Sequence, residues 1–286
     1  MEIIVGENAG FCYGVKRAVD GAKHEIENNK NIYCLGEIVH NKDVVKSLEE
    51  QGIRFIEDIN EAKGETIIRA HGVEKEVYEE AEKLGIKLKD YTCPKVLKIH
   101  EIVEKYAKQG AYIILTGSKK HPENIGTMSF CGDNYFVVEN EEMIEEALEE
   151  FEKTKISKLV LISQTTFSVE RFKIIQDKIK ESISKNVELI IKNTICPATR
   201  IRQEEVSRIA KDVDKMIIIG GKNSSNTKKL FEIAIKNCNN SYSIENEKEL
   251  DLDLFNKNDK IGIMAGASTP QESIENVVKA LNNKYI

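Results

Sequence analysis

The sequence has no long apolar stretch, no excess of positive charge and no closely spaced pair of cysteines. Its longest apolar runs, such as Ile217-Ile218-Ile219, have the length of a strand and are far shorter than the roughly 20 residues that span a bilayer. Residues 1–10 also lack the basic start and the apolar stretch of a signal peptide. We therefore expect a soluble, cytoplasmic protein with no membrane partner.

The formal net charge is −6 over 286 residues, which argues against a nucleic-acid partner. The six cysteines are widely scattered and form no Cys-x-x-Cys motif, so that neither a disulfide scaffold nor a thioredoxin-like site is indicated. A chain of this length can bury a full hydrophobic core. It therefore needs no disulfide or metal merely to hold it folded.

Three of the cysteines share one local pattern, in which an apolar strand leads to the cysteine and the cysteine leads to a helix. Proline follows Cys93 and Cys196 directly, and it suits the first helical position because its missing N–H group has no partner there. Cys12 is a looser third copy of the pattern. Each of these cysteines is thus predicted at a helix N-terminus, where free N–H groups and the helix dipole favour a thiolate.

The segments after these cysteines also repeat. Each predicted cysteine helix leads to an apolar strand and a polar loop, and a second strand, loop and helix follow. This alternation predicts an α/β fold with mostly parallel sheets covered by helices. The polar loops then gather at the carboxyl ends of the strands.

We predict three α/β lobes related by a pseudo-threefold axis, with boundaries at 12–92, 93–195 and 196–286. The third repeat lacks the closing strand that the other two have before the next cysteine. The N-terminal segment 1–11 is expected to supply that strand. In this arrangement the three cysteines and their loops converge on one central cavity.

Three thiolates in one cavity suit a 4Fe-4S cluster better than zinc. Structural zinc uses four ligands in closely spaced pairs, whereas these cysteines are about 80 and about 100 residues apart. A cubane cluster accepts distant ligands and, with three of them, leaves one iron open. The other cysteines lie in or beside apolar strands and are expected to be buried as small apolar side chains: Cys34, Cys131 and Cys238.

The loops are rich in imidazoles and small hydrogen-bond donors. Three histidines occupy equivalent loop positions, and small polar residues fill the corresponding places of the third repeat: His40, His71 and His121, then Ser224, Ser225, Asn226, Ser268 and Thr269. This composition suits a phosphate or diphosphate, because each charge-assisted hydrogen bond contributes roughly 1.5–3 kcal/mol. The remaining histidines fall inside amphipathic helices and are expected to serve in packing or at the surface: His24 and His100.

Glu123 is the carboxylate that we expect to face the cavity, two residues after His121. Beside a cluster and an anion its pKa should rise above the ordinary value, which would make it a proton donor rather than a metal ligand. Thr165 and Thr166 either relay that proton or cap the next helix.

Taken in order, the motifs of the chain resemble the LytB/IspH family. They are Gly10-Phe11-Cys12, Glu37-x-x-His40-Asn41, Ala70-His71-Gly72-Val73, Thr92-Cys93-Pro94, His121-Pro122-Glu123, Ser163-Gln164-Thr165-Thr166, Thr194-Ile195-Cys196, Asn223-Ser224-Ser225-Asn226 and Ala265-Gly266-Ala267-Ser268-Thr269-Pro270. The resemblance covers essentially the whole chain. It implies three pseudo-symmetric α/β lobes around a 4Fe-4S cluster that is ligated by Cys12, Cys93 and Cys196.

The resemblance also implies a reaction, the reductive dehydroxylation of (E)-4-hydroxy-3-methylbut-2-enyl diphosphate to isopentenyl diphosphate and dimethylallyl diphosphate. This is the last step of the methylerythritol phosphate route to isoprenoids, with electrons from ferredoxin or flavodoxin. Glu123 is expected to deliver a proton, and Thr165 belongs to the hydrogen-bond network at the substrate hydroxyl. The residues expected to bind the diphosphate are His40, His71, His121, Ser224, Ser225, Asn226 and Ser268.

Other functions remain open from the residues alone. A 4Fe-4S-dependent hydro-lyase acting on a small phosphorylated substrate would use the open iron as a Lewis acid without net electron transfer. A non-catalytic iron–sulfur sensor or carrier would generally close the cluster with a fourth protein ligand, and it leaves the anion-binding loops unexplained. A phosphate-binding protein with buried structural thiols comes last.

Overall fold

The structure, a computed structural model, describes residues 1–29 and 31–284. Lys30 of the first predicted lobe and Tyr285 and Ile286 of the third lie outside the described residues. The strands are β1 (Glu2–Val5), β2 (Ile32–Leu35), β3 (Arg54–Ile56), β4 (Glu65–Ile68), β5 (Leu88–Asp90), β6 (Tyr112–Thr116), β7 (Tyr135–Val138), β8 (Lys158–Ser163), β9 (Glu188–Lys192), β10 (Lys215–Ile219), β11 (Ser241–Ile244) and β12 (Lys260–Ala265). The α-helices are α1 (Tyr13–Asn28), α2 (Lys42–Glu50), α3 (Lys75–Leu84), α4 (Pro94–Ala107), α5 (Pro122–Ser129), α6 (Ile144–Lys153), α7 (Val169–Ser182), α8 (Pro197–Ala210), α9 (Ser225–Asn237) and α10 (Gln271–Asn283). Within the described ranges, no helix has both the length and the apolar composition that a membrane crossing requires.

The strands form three four-stranded parallel sheets of one topology, which confirms the predicted α/β class. The strand orders are β3-β2-β4-β5, β7-β6-β8-β9 and β11-β10-β12-β1. In the third sheet β1 pairs with β12, with Ile3 opposite Ile261. The N-terminal strand therefore holds the edge position that β5 and β9 hold in the other two sheets.

One edge strand of each sheet was not predicted from the sequence: β3, β7 and β11. These strands have three or four residues, and several of their side chains are exposed or half-buried. At this length an alternating pattern does not distinguish a strand from a loop. Pairing with β2, β6 and β10 decides their conformation.

The described residues group into two compact units. The first comprises Met1–Lys16, Val39–Ser47 and Pro197–Ile286, and the second comprises Arg17–Ile38 and Leu48–Cys196. The sheet that contains β1 belongs to the first unit, and the other two sheets belong to the second. The division into three lobes stays a prediction.

Apolar strand residues bury on both faces of the sheets, as expected for parallel strands covered by helices. In the first unit Ile217 and Ile263 pack against α10 on one face. Ile218 and Met264 pack against α8 and α9 on the other. In the second unit the sheet centred on β6 and β8 packs one face against α6 and α7 and the other against α4 and α5.

Glycine turns begin the polar loops after β6 and β10. Gly117 has a φ of +140°, and a Cβ atom there would lie 2.5 Å from Oε1 of Gln164. Gly220 has a φ of +154°, and its Cβ atom would lie 2.5 Å from Oγ1 of Thr227. Only glycine fits both the backbone conformation and the space. These turns direct the chain into the loops that carry His121 and Ser224.

Candidate functional site

The three cysteines that were predicted as ligands share one backbone contact. The N–H group of each donates to a carbonyl in the loop that follows β12, β4 or β8: Cys12 to Ala267 (3.1 Å), Cys93 to Ala70 (3.0 Å) and Cys196 to Thr165 (2.9 Å). The first of these pairs lies in the first unit and the other two lie in the second. Each cysteine is thus held at the carboxyl end of a strand, beside a loop predicted to contact substrate.

The helix starts follow the prediction. Pro94 is the first residue of α4 and Pro197 is the first residue of α8, so that Cys93 and Cys196 stand immediately before a helix. Cys12 precedes α1, and its carbonyl accepts the N–H group of Lys16 at 2.9 Å, as in a first helical turn. The amide donors and the dipole of a helix N-terminus therefore act on each of these cysteines.

The six cysteines fall into two chemical sets. Cys12, Cys93 and Cys196 are half-buried, whereas Cys34, Cys131 and Cys238 are buried, as the sequence predicted for the latter three. Burial raises the pKa of Cys34 and of Cys131 to about 12, so these thiols stay protonated at neutral pH. Thiolates are the form that binds iron. The half-buried cysteines are therefore the ones whose chemistry suits iron ligation.

In the first unit the loops after β10 and β12 lie against the segment around His40. The hydroxyl of Ser268 donates to the carbonyl oxygen of His40 at 3.1 Å. Gly221 approaches the same oxygen so closely that a Cβ atom would lie 2.5 Å from it. Ser224, whose N–H group donates to Gly221 at 2.9 Å, caps α9 by accepting the N–H group of Thr227 at 3.3 Å. Predicted anion-binding residues from three distant segments are thus brought together.

Asn226 lies in the first turn of α9 and is 3% exposed. Among the described residues, neither its Nδ2 nor its Oδ1 atom has a hydrogen-bond partner. A buried polar group left without a partner costs about 1–3 kcal/mol. The N-terminal N–H groups of a helix attract anions, and the amide of Asn226 adds a donor at the same place.

In the second unit His71 and His121 stand edge to face, with ring centroids 5.6 Å apart and an interplanar angle of 80°. His121 caps α5, and its Nδ1 atom accepts the N–H group of Glu123 at 3.2 Å. A ring nitrogen that accepts a hydrogen bond carries no proton. The ring proton of His121 therefore lies on Nε2, which is a donor.

Glu123 and Thr165 form a buried pair, and Glu123 is 3% exposed. The N–H group of Thr165 donates to Oε1 of Glu123 and its hydroxyl donates to Oε2, each at 2.6 Å. Burial raises the pKa of Glu123 to about 7, and the two hydrogen bonds from Thr165 oppose this shift without cancelling it. A carboxyl group with such a pKa can hold or release a proton near neutrality.

Asn124 and Gln164, the sequence neighbours of Glu123 and Thr165, bind the backbone of Ser118, and neither was given a role from the sequence. Oε1 of Gln164 accepts the N–H group of Ser118 at 3.1 Å and lies 3.4 Å from Nδ2 of Asn124. The same Nδ2 atom donates to the carbonyl of Ser118 at 2.9 Å. Both amides are buried. Their positions directly beside Glu123 and Thr165 in the sequence are the signal that could have indicated them.

Comparison with known proteins gives one family along nearly the whole chain. The family described as LytB protein matches residues 3–282. A 4-hydroxy-3-methylbut-2-enyl diphosphate reductase of Caldanaerobacter subterraneus subsp. tengcongensis is 44% identical over 289 residues, covering 99% of this chain and 97% of the relative. A reductase of the same name from Alkaliphilus oremlandii is 40% identical over 287 residues, covering 99% of this chain and 100% of the relative.

Solved structures of similar proteins each match 99% of this chain. A structure of (E)-4-hydroxy-3-methyl-but-2-enyl diphosphate reductase, described as the terminal enzyme of the non-mevalonate pathway, is 40% identical with a TM-score of 0.71, and all of its chain is covered. The E-1-hydroxy-2-methyl-but-2-enyl-4-diphosphate reductase of Plasmodium falciparum is 33% identical with a TM-score of 0.89, and 89% of its chain is covered.

Proposed function

Because the chain belongs to the LytB protein family, we propose that it reduces (E)-4-hydroxy-3-methylbut-2-enyl diphosphate to isopentenyl diphosphate and dimethylallyl diphosphate, the last step of the methylerythritol phosphate pathway. The observation in the chain itself that carries the proposal is the buried Glu123 carboxyl group, whose pKa is raised to about 7 and which is paired with Thr165 at 2.6 Å. Reductive loss of a hydroxyl group requires a proton for the departing oxygen. A positioned acid of this pKa supplies one.

The proposed cofactor is a 4Fe-4S cluster that is ligated by Cys12, Cys93 and Cys196. A cluster with three protein ligands supplies electrons and an open iron that acts as a Lewis acid. The half-burial of these cysteines supports the assignment because it leaves their side chains partly accessible, and the helix start after each of them supports it because the N-terminal N–H groups and the helix dipole favour negative charge. The buried thiols with raised pKa are poorly suited to the same role.

Two groups of residues are proposed to bind the diphosphate. In the first unit they are His40, Ser224, Ser225, Asn226 and Ser268, and in the second they are His71 and His121. The first turn of α9 contributes backbone N–H donors to the anion, together with the partnerless amide of Asn226. The Nε2–H group of His121 contributes a further donor, since the Nδ1 atom is engaged by Glu123.

The reaction takes up two electrons and two protons. The chain's own part is to deliver the proton that leaves with the hydroxyl oxygen, and we propose that the diphosphate of the bound substrate supplies the proton that ends on carbon. When Glu123 is protonated, its carboxyl group donates to Oγ1 of Thr165, and the hydroxyl hydrogen of Thr165 is then available to the substrate hydroxyl. The carbonyl of Thr165 also accepts the N–H group of Cys196 at 2.9 Å. The residue that relays the proton is therefore tied directly to one of the proposed ligands. We assign the supply of electrons to a small redox protein of the ferredoxin or flavodoxin class.

The proposal is tested on anaerobically reconstituted protein by Mössbauer spectroscopy and turnover. We expect a cubane signal with one distinct iron that changes when the diphosphate substrate is added. Isopentenyl and dimethylallyl diphosphate should form only with a reductant, for which dithionite, reduced ferredoxin and reduced flavodoxin are compared. Consumption of the substrate without reductant, with neither of these products formed, would instead indicate a hydro-lyase, and a cluster spectrum that the substrate does not change would contradict the proposal.

The ligand assignment is tested by paired cysteine variants. Cys93→Ser should lose or degrade the cluster, because a serine hydroxyl binds iron less well than a thiolate does. Cys34→Ser is the control, since Cys34 is buried in β2 and donates to the carbonyl of Gly36 at 3.3 Å. Normal iron content in Cys93→Ser would remove that residue from the ligand set.

A further inference from the structure

Besides the backbone contact that the three cysteines share, Cys12 differs from the other two proposed ligands in the residue that follows it. Proline after Cys93 and Cys196 fixes φ at the first residue of the following helix, whereas Tyr13 after Cys12 imposes no such restriction. Residues 6–12, which we call the Cys12 loop, join β1 to α1. Two buried charged side chains of α8 contact this loop.

Glu205 of α8 binds the first half of the Cys12 loop. Its Oε1 atom accepts the N–H group of Glu7 at 2.8 Å. Its Oε2 atom accepts the N–H group and the Nδ2 group of Asn8, each at 3.1 Å. Glu205 is only 6% exposed, and a carboxylate is rarely buried unless strong partners compensate its lost hydration. Three converging donors provide that compensation and fix the course of the loop.

Arg202, one turn earlier in α8, binds the second half of the Cys12 loop. Its Nη2 atom donates to the carbonyl of Gly10 at 2.7 Å, and its Nη1 atom donates to the carbonyl of Ala198 at 3.0 Å. Arg202 is 5% exposed. Gly10 has a φ of +94° and lies two residues before Cys12. The guanidinium group thus joins the first turn of α8 to the bend that delivers Cys12.

We propose that Glu205 and Arg202 are positioning residues that keep the Cys12 loop in its iron-binding conformation, an inference that rests on the proposed role of Cys12 as a ligand. α8 begins directly after Cys196. The helix that follows one proposed ligand therefore also holds the loop that carries another. Val206 and Ile209 on the apolar side of α8 pack in the core, and Ala9 of the Cys12 loop packs against the same cluster. Glu205 itself contacts the loop through its carboxylate, so a substitution at Glu205 acts first on the loop.

The test measures how well each ligand thiol is shielded in the cluster-loaded protein. Anaerobic pulses of iodoacetamide followed by peptide mass mapping give separate alkylation rates for Cys12, Cys93 and Cys196. In Glu205→Ala we expect the rate at Cys12 to rise about tenfold or more, because the loop loses three hydrogen bonds and opens locally. The rates at the other two cysteines should not change. In Glu205→Gln, which keeps one acceptor oxygen, the alkylation rate at Cys12 should lie between the rates of the unsubstituted protein and of Glu205→Ala.

Matched controls lie on the same helix. Glu204 and Arg200 have side chains that are 64% and 57% exposed, and we expect Glu204→Ala to leave all three rates unchanged. Arg202→Lys should also accelerate labelling of Cys12, whereas Arg200→Lys should not.

Three results overturn the inference, and they are distinguishable. An unchanged rate at Cys12 in Glu205→Ala contradicts it directly. An equal rise at all three cysteines contradicts it as well, since it indicates general loss of structure. Rapid labelling of Cys12 in the unsubstituted, cluster-loaded protein removes Cys12 from the ligand set of the proposed function, and the positioning role falls with it.

Discussion

Both hydrogen-bond donors of Thr165 are directed at the carboxylate of Glu123, the N–H group at Oε1 and the hydroxyl at Oε2, each at 2.6 Å. Hydrogen bonds to a carboxylate normally lower its pKa, yet that of Glu123 is raised to about 7 because burial has the larger effect. The result is an acid that is both fixed in orientation and protonated through much of the neutral range. An acid that protonates a leaving group needs both properties.

Replacing Glu123 by glutamine removes the acid but keeps an oxygen that can accept from Thr165. We expect kcat to fall by roughly 10²–10⁴-fold, the usual contribution of a positioned general acid. KM should change far less, because Glu123 is not among the proposed diphosphate ligands. Steady-state kinetics of Glu123→Gln with full cluster occupancy measure both constants. Glu101→Gln, at an exposed position of α4, is the control, and retained turnover in Glu123→Gln would exclude Glu123 as the acid.

The pH profile of kcat should also report Glu123. The acid is active when protonated, and its pKa is raised to about 7. We therefore expect kcat to decline about tenfold per pH unit above that value. In Glu123→Gln the residual rate should lose this descending limb. A descending limb that persists unchanged in the variant would belong to another group.

Thr165→Val removes the hydroxyl and keeps the backbone N–H group. One of the two hydrogen bonds that lower the pKa of Glu123 is then missing, so its pKa rises further and the descending limb of kcat moves to higher pH. The value of kcat should itself fall about tenfold or more because the relay is interrupted. The control is Thr166→Val, since the Thr166 hydroxyl accepts instead from Nε2 of Gln164 at 2.9 Å. If kcat of Thr165→Val declines at the same pH as kcat of the unsubstituted protein, the proposed interaction of Thr165 with Glu123 is wrong.

His100 should make the protein less stable in mild acid. It is 4% exposed and stacks on Phe130 with ring centroids 4.4 Å apart, and burial lowers its pKa from 6.5 to about 4. Between these values the unfolded chain takes up a proton that the folded chain does not. The free energy of unfolding therefore has its full value above the pKa that His100 has in the unfolded chain. It decreases by up to about 3 kcal/mol as the pH falls toward 4.

The prediction is tested with His100→Gln, which cannot titrate. Urea unfolding midpoints at about pH 7 and about pH 5 should differ less in this variant than in the unsubstituted protein. His24→Gln, at an exposed position of α1, should leave the pH dependence as it is. An equal pH dependence in His100→Gln would show that other groups cause the acid destabilisation.

The repeating part of this fold could be predicted from local patterns. Apolar strand runs, the helices after the three cysteines and after β4, β8 and β12, and the prolines after Cys93 and Cys196 are each encoded within a few neighbouring residues, and the structure confirms these elements. The helices α2, α5, α6 and α9 were not predicted, and α5 and α9 begin in segments that were predicted as polar loops. Short edge strands such as β3 carry too few residues for a pattern, and pairing with a neighbouring strand defines them. Their existence is a property of the sheet rather than of the segment.

The hydrogen bonds between distant polar residues near the site could not be predicted from local patterns, for a different reason. Gln164 meets Asn124 across 40 residues of sequence, and Glu205 meets Asn8 across 197. Such contacts follow from topology, because parallel strands bring the ends of distant segments to one edge of a sheet. The sequence alone gives residue types with the right chemistry, and which of them meet becomes visible only with the chain folded.

Asn226 provides a prediction in which stability and function change in opposite directions. Its buried amide has no hydrogen-bond partner within the described part of the chain, and we propose that the diphosphate supplies one. Without ligand, Asn226→Ala should be as stable as the unsubstituted protein or about 1 kcal/mol more stable, because an unsatisfied polar group is removed. KM for the substrate should rise about tenfold or more, since a donor to the anion is lost.

Calorimetric Tm values with and without inorganic diphosphate, together with KM, separate this role from a structural one. Asn237 on the same helix is a matched control, because its Nδ2 group donates to the carbonyl of Ile233 at 2.8 Å. Asn237→Ala should therefore lower Tm and leave KM unchanged, the reverse of Asn226→Ala. Asn226→Asp should raise KM further than alanine does, because a carboxylate repels the anion. If Asn226→Ala lowers Tm as Asn237→Ala does and binds substrate normally, the amide serves the fold and the diphosphate assignment at this position is wrong.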